Sequence, residues 1–107
     1  ARVGSSDEVA GADLVVNATS LGLAGSGGGE LAFDPQRLGT GQLVVDLNYP
    51  DGQMVSAARA RGAKATDGVG MLVHQAAHAF RIWTGDPAPL AAMQAAARGA
   101  LAARAGR

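Results

Sequence analysis

Cysteine is absent from the 107 residues, which excludes disulfides and thiolate metal sites and fits a reducing compartment. Aromatic side chains make up only 4% of a chain that is 48% apolar, so Ala, Val and Leu must do most of the packing. Neither sign of charge is in excess, since nine Lys and Arg balance nine Asp and Glu. No overall field therefore draws in nucleic acid or an anionic membrane surface. No apolar run reaches the ~18 residues of a membrane-spanning helix, and no signal-peptide pattern opens the chain. The expectation is a cytoplasmic protein with no nucleic-acid or membrane partner. The opening "ARVGSSDEV" lacks an initiator Met and a clear element start, so we read the sequence as a piece of something longer.

What is present is a set of short apolar runs separated by helical patterns. Asp13–Ala18 ("DLVVNA") and Leu43–Leu47 ("LVVDL") are two such runs, and Lys64–Thr66 is a weaker third. Continuous β-branched runs bounded by turn residues predict strands buried on both faces, as in a parallel sheet. Gln53–Arg61 predicts an Ala-rich helix stopped by Gly62. Val69–Trp83 predicts a longer helix with an apolar stripe of Leu72, Ala76, Ala79, Phe80 and Trp83. Asp86-Pro87 marks the start of a last helix, with Leu90, Met93, Ala97 and Leu101 on its inner face. The alternation implies an α/β layer fold filling one domain over residues 1–107.

Three strand ends carry polar or glycine clusters: Asn17-Ala18-Thr19-Ser20, Asn48-Tyr49-Pro50-Asp51-Gly52 and Asp67-Gly68-Val69-Gly70. Parallel strands present their carboxyl ends on one edge, which is where open α/β sheets bind ligands. The plainer reading is that Gly, Asn, Asp and Ser simply populate turns. The glycine run in Gly22–Glu30 is not a phosphate cradle, because no Lys-Ser/Thr and no helix start follow it. It reads as a loop.

Within Asp67–Phe80 ("DGVGMLVHQAAHAF") two motifs overlap. Gly68-Val69-Gly70 resembles the start of a dinucleotide fingerprint, but the third small position holds Val73. Glycine there still lets backbone come close to a ligand. His74 and His78 have the spacing of a zinc-protease helix, yet the base position holds Gln75, which cannot take a proton. No metal is expected in the chemistry. Met71, Gln75 and His78 share one helical stripe, and Gln75 either aims its amide at a hydroxylated ligand or faces solvent.

Taken in order, "DLVVNATSLGL", "VVDLNY" and "RGAKATDGVGMLVHQAAHAFRIWTG" resemble the C-terminal half of the shikimate dehydrogenases, from about Asp13 to Pro89. The resemblance implies a partial Rossmann-like domain: the latter half of a parallel sheet with flanking helices, ending in two C-terminal helices. It implies NADP as cofactor and reduction of 3-dehydroshikimate to shikimate, a step of aromatic amino-acid and chorismate biosynthesis. By matching position it assigns Thr19, Ser20, Leu47, Gly68 and Met71 to the cofactor, and Tyr49 and Gln75 to the substrate. It assigns no catalytic residue, because the half with the catalytic Lys–Asp pair and the glycine-rich phosphate loop has no counterpart here. The chain alone is then expected to be inactive and to bind NADP incompletely. Its partners would be the missing half, or a second copy meeting it at the exposed sheet edge. Two departures stand out: the glycine run Gly25–Gly29 replaces a loop that usually contains proline, and "PDGQM" after Tyr49 lacks a common Thr. Two other readings stay open, a quinate or quinate/shikimate dehydrogenase portion and a non-catalytic half-Rossmann binding module.

Overall fold

A computed structural model describes residues 1–20, 31–49 and 52–106. The glycine run in Gly22–Glu30 and the Pro50-Asp51 turn lie outside the described residues. The chain divides into two compact units, Ala1–Asp67 and Gly68–Arg107.

The first unit is built on a parallel sheet of β1 (Leu14–Asn17), β2 (Leu43–Asp46) and β3 (Lys64–Thr66), in that spatial order. β1 and β2 pair residue for residue, Leu14 with Leu43, Val15 with Val44, Val16 with Val45 and Asn17 with Asp46. Side chains alternate across a strand, so Val15 and Val44 share one face and are buried there. Helix α1 (Gln53–Ala60) supplies Met54 and Ala58 to the same core, which Leu38 and Ala63 complete. The opposite face differs from expectation. Leu14, Val16 and Leu43 remain 56%, 49% and 44% exposed, so within the first unit the sheet is covered on one face only.

The glycine stop after α1 is where the sequence places it. Gly62 has φ +88°, and the Ala63 N–H reaches back to the Ala58 carbonyl at 3.0 Å, closing the helix end. A Cβ on Gly62 would lie 2.7 Å from the Thr40 hydroxyl oxygen. Gly62→Ala therefore combines left-handed strain with a steric conflict, and we expect it to lower stability by about 1–2 kcal/mol. An unchanged urea midpoint for this variant would contradict that account.

The opening segment carries an element that the sequence reading passed over. Ser6–Gly11 forms a 3-10 helix closed by a capping box, in which the Ser5 hydroxyl accepts from the Asp7 N–H and Glu8 accepts from the Ser5 N–H. Arg2 donates to Glu8 at 2.7 Å, and this guanidinium, with the Ser5 N–H, holds the Glu8 carboxyl below its usual range. Gln42, largely buried, fastens this turn to the sheet. Its Nε2 donates to the Val9 and Ala12 carbonyls at 2.9 and 2.6 Å, and its Oε1 accepts from the Gly39 N–H.

The second unit is a pair of sixteen-residue helices, α2 (Val69–Thr84) and α3 (Leu90–Ala105), packed on each other. Gly85, at φ +76°, ends α2 in the left-handed conformation. On α3 the half-buried positions are Leu90, Met93, Ala97 and Leu101, the inner face that the sequence predicts. The start of α3 falls at Leu90 rather than at Asp86-Pro87. Pro89 disfavours helical backbone at the residue before it, so the helix begins only beyond that proline. The predicted stripe on α2 is also corrected. Its buried residues are Val69 and Val73, whereas Trp83 is 83% exposed and Ala76 and Phe80 are exposed. Apolar residues lie on most sides of this helix, and periodicity alone does not select the buried one.

Candidate functional site

The carboxyl ends of β1 and β2 converge on a polar cluster. Asn17 and Asp46, each 2% exposed, finish the two paired runs on the same face as the core valines. Burial of such groups is tolerated only with hydrogen-bond partners. Asn17 Nδ2 donates to Asp46 Oδ1 at 3.0 Å, and the same oxygen accepts the Asn48 N–H at 3.1 Å. Asn17 Oδ1 accepts from both the backbone N–H and the hydroxyl of Thr19, at 3.1 and 2.6 Å. Asn48 closes the ring by donating Nδ2 to the Thr19 carbonyl at 3.0 Å, and the Leu47 N–H donates to the Asn17 carbonyl. No buried side-chain N or O among the described residues lacks a partner.

This network fixes the turn after β1 and the turn after β2 relative to each other. It brings together Thr19 and Leu47, two of the residues singled out from the sequence, and sets Ser20 and Tyr49 at the outer ends of the two turns. Tyr49 is partly exposed, and its hydroxyl makes no hydrogen bond among the described residues. The residues that build the cluster, Asn17 and Asp46, were not assigned a role from sequence. The signal was present: "LVVN" and "LVVD" are the same pattern, and their terminal polar residues become partners once the strands are in register.

In the second unit, Gly68 caps the start of α2 with ordinary helical dihedrals, and its carbonyl accepts the Leu72 N–H at 3.0 Å. That bond uses one of the two lone pairs of the carbonyl oxygen. Gly70 sits inside the first turn, where a Cβ would meet nothing within 4 Å. Neither residue needs positive φ, so backbone conformation does not explain the glycines. Met71 is 45% exposed, and Gln75 lies one turn further along the same exposed face. The Gln75 amide makes no hydrogen bond among the described residues. Lys64, at the start of β3, pairs with Leu43 at the opposite end of the strands from the polar cluster.

A three-stranded parallel sheet with a packed helix and polar strand ends places the chain among the Rossmann-like α/β domains. Within that class it is related to the shikimate dehydrogenases through their C-terminal portion. The pattern of the family described as Shikimate 5'-dehydrogenase C-terminal domain matches residues 68–98. The chain is 47% identical over 96 residues to the Shikimate dehydrogenase (NADP(+)) of Methanothrix thermoacetophila, covering 89% of this chain and 35% of that protein. Among solved structures, it superposes on the shikimate 5-dehydrogenase of Thermus thermophilus in complex with NADP(H) and shikimate with a TM-score of 0.83. That match is 33% identical and covers 94% of this chain and 38% of the other. The quinate dehydrogenase of Corynebacterium glutamicum in complex with NAD superposes with a TM-score of 0.76 at 40% identity, covering 83% of this chain and 32% of that one. The chain thus spans about a third of the length of the curated relatives it matches. No helix among the described residues is long and apolar enough to cross a membrane.

Proposed function

We propose that the chain supplies the nicotinamide side of the cofactor domain in an NADP-dependent shikimate dehydrogenase, and that it acts together with the portion its relatives carry in addition. The observation that carries this reading is the match to proteins named Shikimate dehydrogenase (NADP(+)) at 45–47% identity along most of the chain. When bound, NADPH supplies the hydride that reduces the ketone. The residues of this chain bind and orient. The turn bearing Thr19 and Ser20, held rigid by Asn17, lies against the cofactor, with the Leu47 backbone beside the nicotinamide. The free lone pair of the Gly68 carbonyl faces the carboxamide, and Met71 lines the same pocket. Tyr49 and Gln75 hold the substrate ring, Gln75 by donating and accepting hydrogen bonds with a ring hydroxyl.

Several features support this assignment. Tyr49 and Gln75 are exposed and carry polar atoms with no partner among the described residues, so both are accessible to a ligand. Gly70 leaves open space where a side chain would project, which suits close approach of a bound molecule. No residue is assigned the proton transfer, because Lys64 lies at the far end of the strands.

In this reading the exposed face of Leu14, Val16 and Leu43, together with the outer edge of β1, is covered by the remaining portion of the enzyme or by a second copy. An open concavity of about 690 Å³ runs beside β1, lined by Arg2, Leu14, Val16 and Phe33 among others. An uncovered parallel edge invites association.

The test is a steady-state assay of NADPH oxidation with 3-dehydroshikimate and with 3-dehydroquinate, on the 107-residue chain and on the full-length gene product. The chain alone is expected to show no turnover, and the full-length protein to prefer dehydroshikimate. Turnover by the isolated chain would overturn the division of labour. Faster reduction of dehydroquinate would favour the second reading, which the 40% identity to a quinate dehydrogenase supports. A full-length product without activity on either substrate would favour a non-catalytic binding module.

A further inference from the structure

The histidine pair of α2 is left unused by the dehydrogenase reading. His74 and His78 are both exposed, on a helix that runs unbroken from Val69 to Thr84. Residues four apart on a helix stand one above the other, with Cβ atoms about 5–6 Å apart. Both rings line the same small concavity of about 180 Å³, shared with Ala77 and Arg81 of α2, Leu90 of α3 and Ala88 of the connection. Neither imidazole has a hydrogen bond or ion pair among the described residues. Two free nitrogen donors one turn apart, opening into one recess, form a chelating arrangement.

From this geometry we infer that His74 and His78 together hold one borderline divalent cation of the Zn²⁺, Ni²⁺ or Cu²⁺ class. Imidazole nitrogen suits these ions, whereas Mg²⁺ and Ca²⁺ demand oxygen ligands that the recess does not offer. Among the described residues no group of three His, Cys, Asp or Glu is placed to hold an ion, so water fills the remaining coordination positions. The site is therefore a surface chelate rather than a closed structural centre. Arg81 lines the same recess and opposes a cation, which sets the direction of an internal control. The inference does not depend on the hydride-transfer reading, since neither histidine is assigned to cofactor or substrate.

The experiment is a titration of the metal-free 107-residue chain with Zn²⁺, read by competition with a chromophoric chelator, and repeated for His74→Ala, His78→Ala and Arg81→Gln. Alanine at exposed helix positions leaves the helix intact, and circular dichroism verifies this for each variant. We expect one Zn²⁺ per chain. Removing either ring abolishes the chelate and weakens binding by roughly 10²-fold, the effective concentration that the second ring provides. Arg81→Gln tightens binding. Zn²⁺ binding that survives both histidine substitutions, or no binding by the unaltered chain, overturns the inference. So does an anion site at the same place, recognised by binding of inorganic phosphate that Arg81→Gln weakens while Zn²⁺ has no effect.

Discussion

Asp46→Ala should lower the unfolding free energy of the chain by about 3–4 kcal/mol, the largest effect expected from a single substitution at a strand end. The carboxylate is 2% exposed and accepts from two donors, Asn17 Nδ2 and the Asn48 N–H. Truncation removes the acceptor that both donors share, at a cost of about 1–3 kcal/mol for the buried Asn17 amide and less for the half-buried Asn48 N–H. Relief from desolvating a carboxylate offsets part of this loss, which keeps the expected figure below the simple sum. A domain of this size has about 5–15 kcal/mol in total, so the substitution should remove a large share of the stability. Asp46→Asn provides the contrast. Its amide oxygen can still accept from both donors at the same volume, so it should lose roughly 1 kcal/mol or less. Urea unfolding at one fixed chain concentration measures both, the fixed concentration removing any contribution from association. Equal midpoints for Asp46→Ala and Asp46→Asn would mean that the network does not hold the two turns together.

That Asp46 escaped a reading of the sequence has a physical cause. Each polar residue at the end of an apolar run is unremarkable by itself. Asn17 and Asp46 become partners only through strand register, a tertiary property set by pairing twenty-nine positions apart. What depends on local chemistry was legible. Gly62 ends its helix as expected because left-handed backbone suits a residue without Cβ, and Gly85, not singled out from the sequence, does the same for α2. The stripe Leu90, Met93, Ala97 and Leu101 was readable because α3 is otherwise alanine and polar residues, leaving one face to choose. Helix α2 gave no such choice, and Val69 and Val73, not the aromatic positions, turned out to be buried. The strands show the same limit in another form. "LVV" without alternation reads as buried on both faces, and the exposure of Leu14, Val16 and Leu43 reflects what covers the sheet rather than what the run contains. Thr19 and Leu47 were singled out by motif, while the hydrogen bonds that position them were visible only in three dimensions.

Gln75→Ala offers the sharpest test of the proposed chemistry, because its effects on stability and on turnover separate. The side chain is exposed on α2 and has no hydrogen bond among the described residues, so replacing it by the best helix former should leave the melting temperature unchanged or slightly raised. Any loss of activity then cannot be attributed to folding. If the amide pairs with a ring hydroxyl, its removal leaves that hydroxyl without a partner in a closed cleft. The loss of about 1–3 kcal/mol corresponds to a fall of roughly 5- to 150-fold in kcat/KM for 3-dehydroshikimate in the full-length gene product. The affinity for NADP should not change, since the cofactor contacts are assigned to other residues. A substrate analogue lacking the paired hydroxyl provides the second arm of a double-mutant cycle. The unaltered enzyme should discriminate against it strongly, and the Gln75→Ala enzyme hardly at all, because the partner it would miss is already gone. A kcat/KM within about twofold of the unaltered protein, or equal discrimination by both enzymes, would remove Gln75 from the substrate site. Gln75 would then be a solvated residue on the exposed face of α2, the plainer of its two readings.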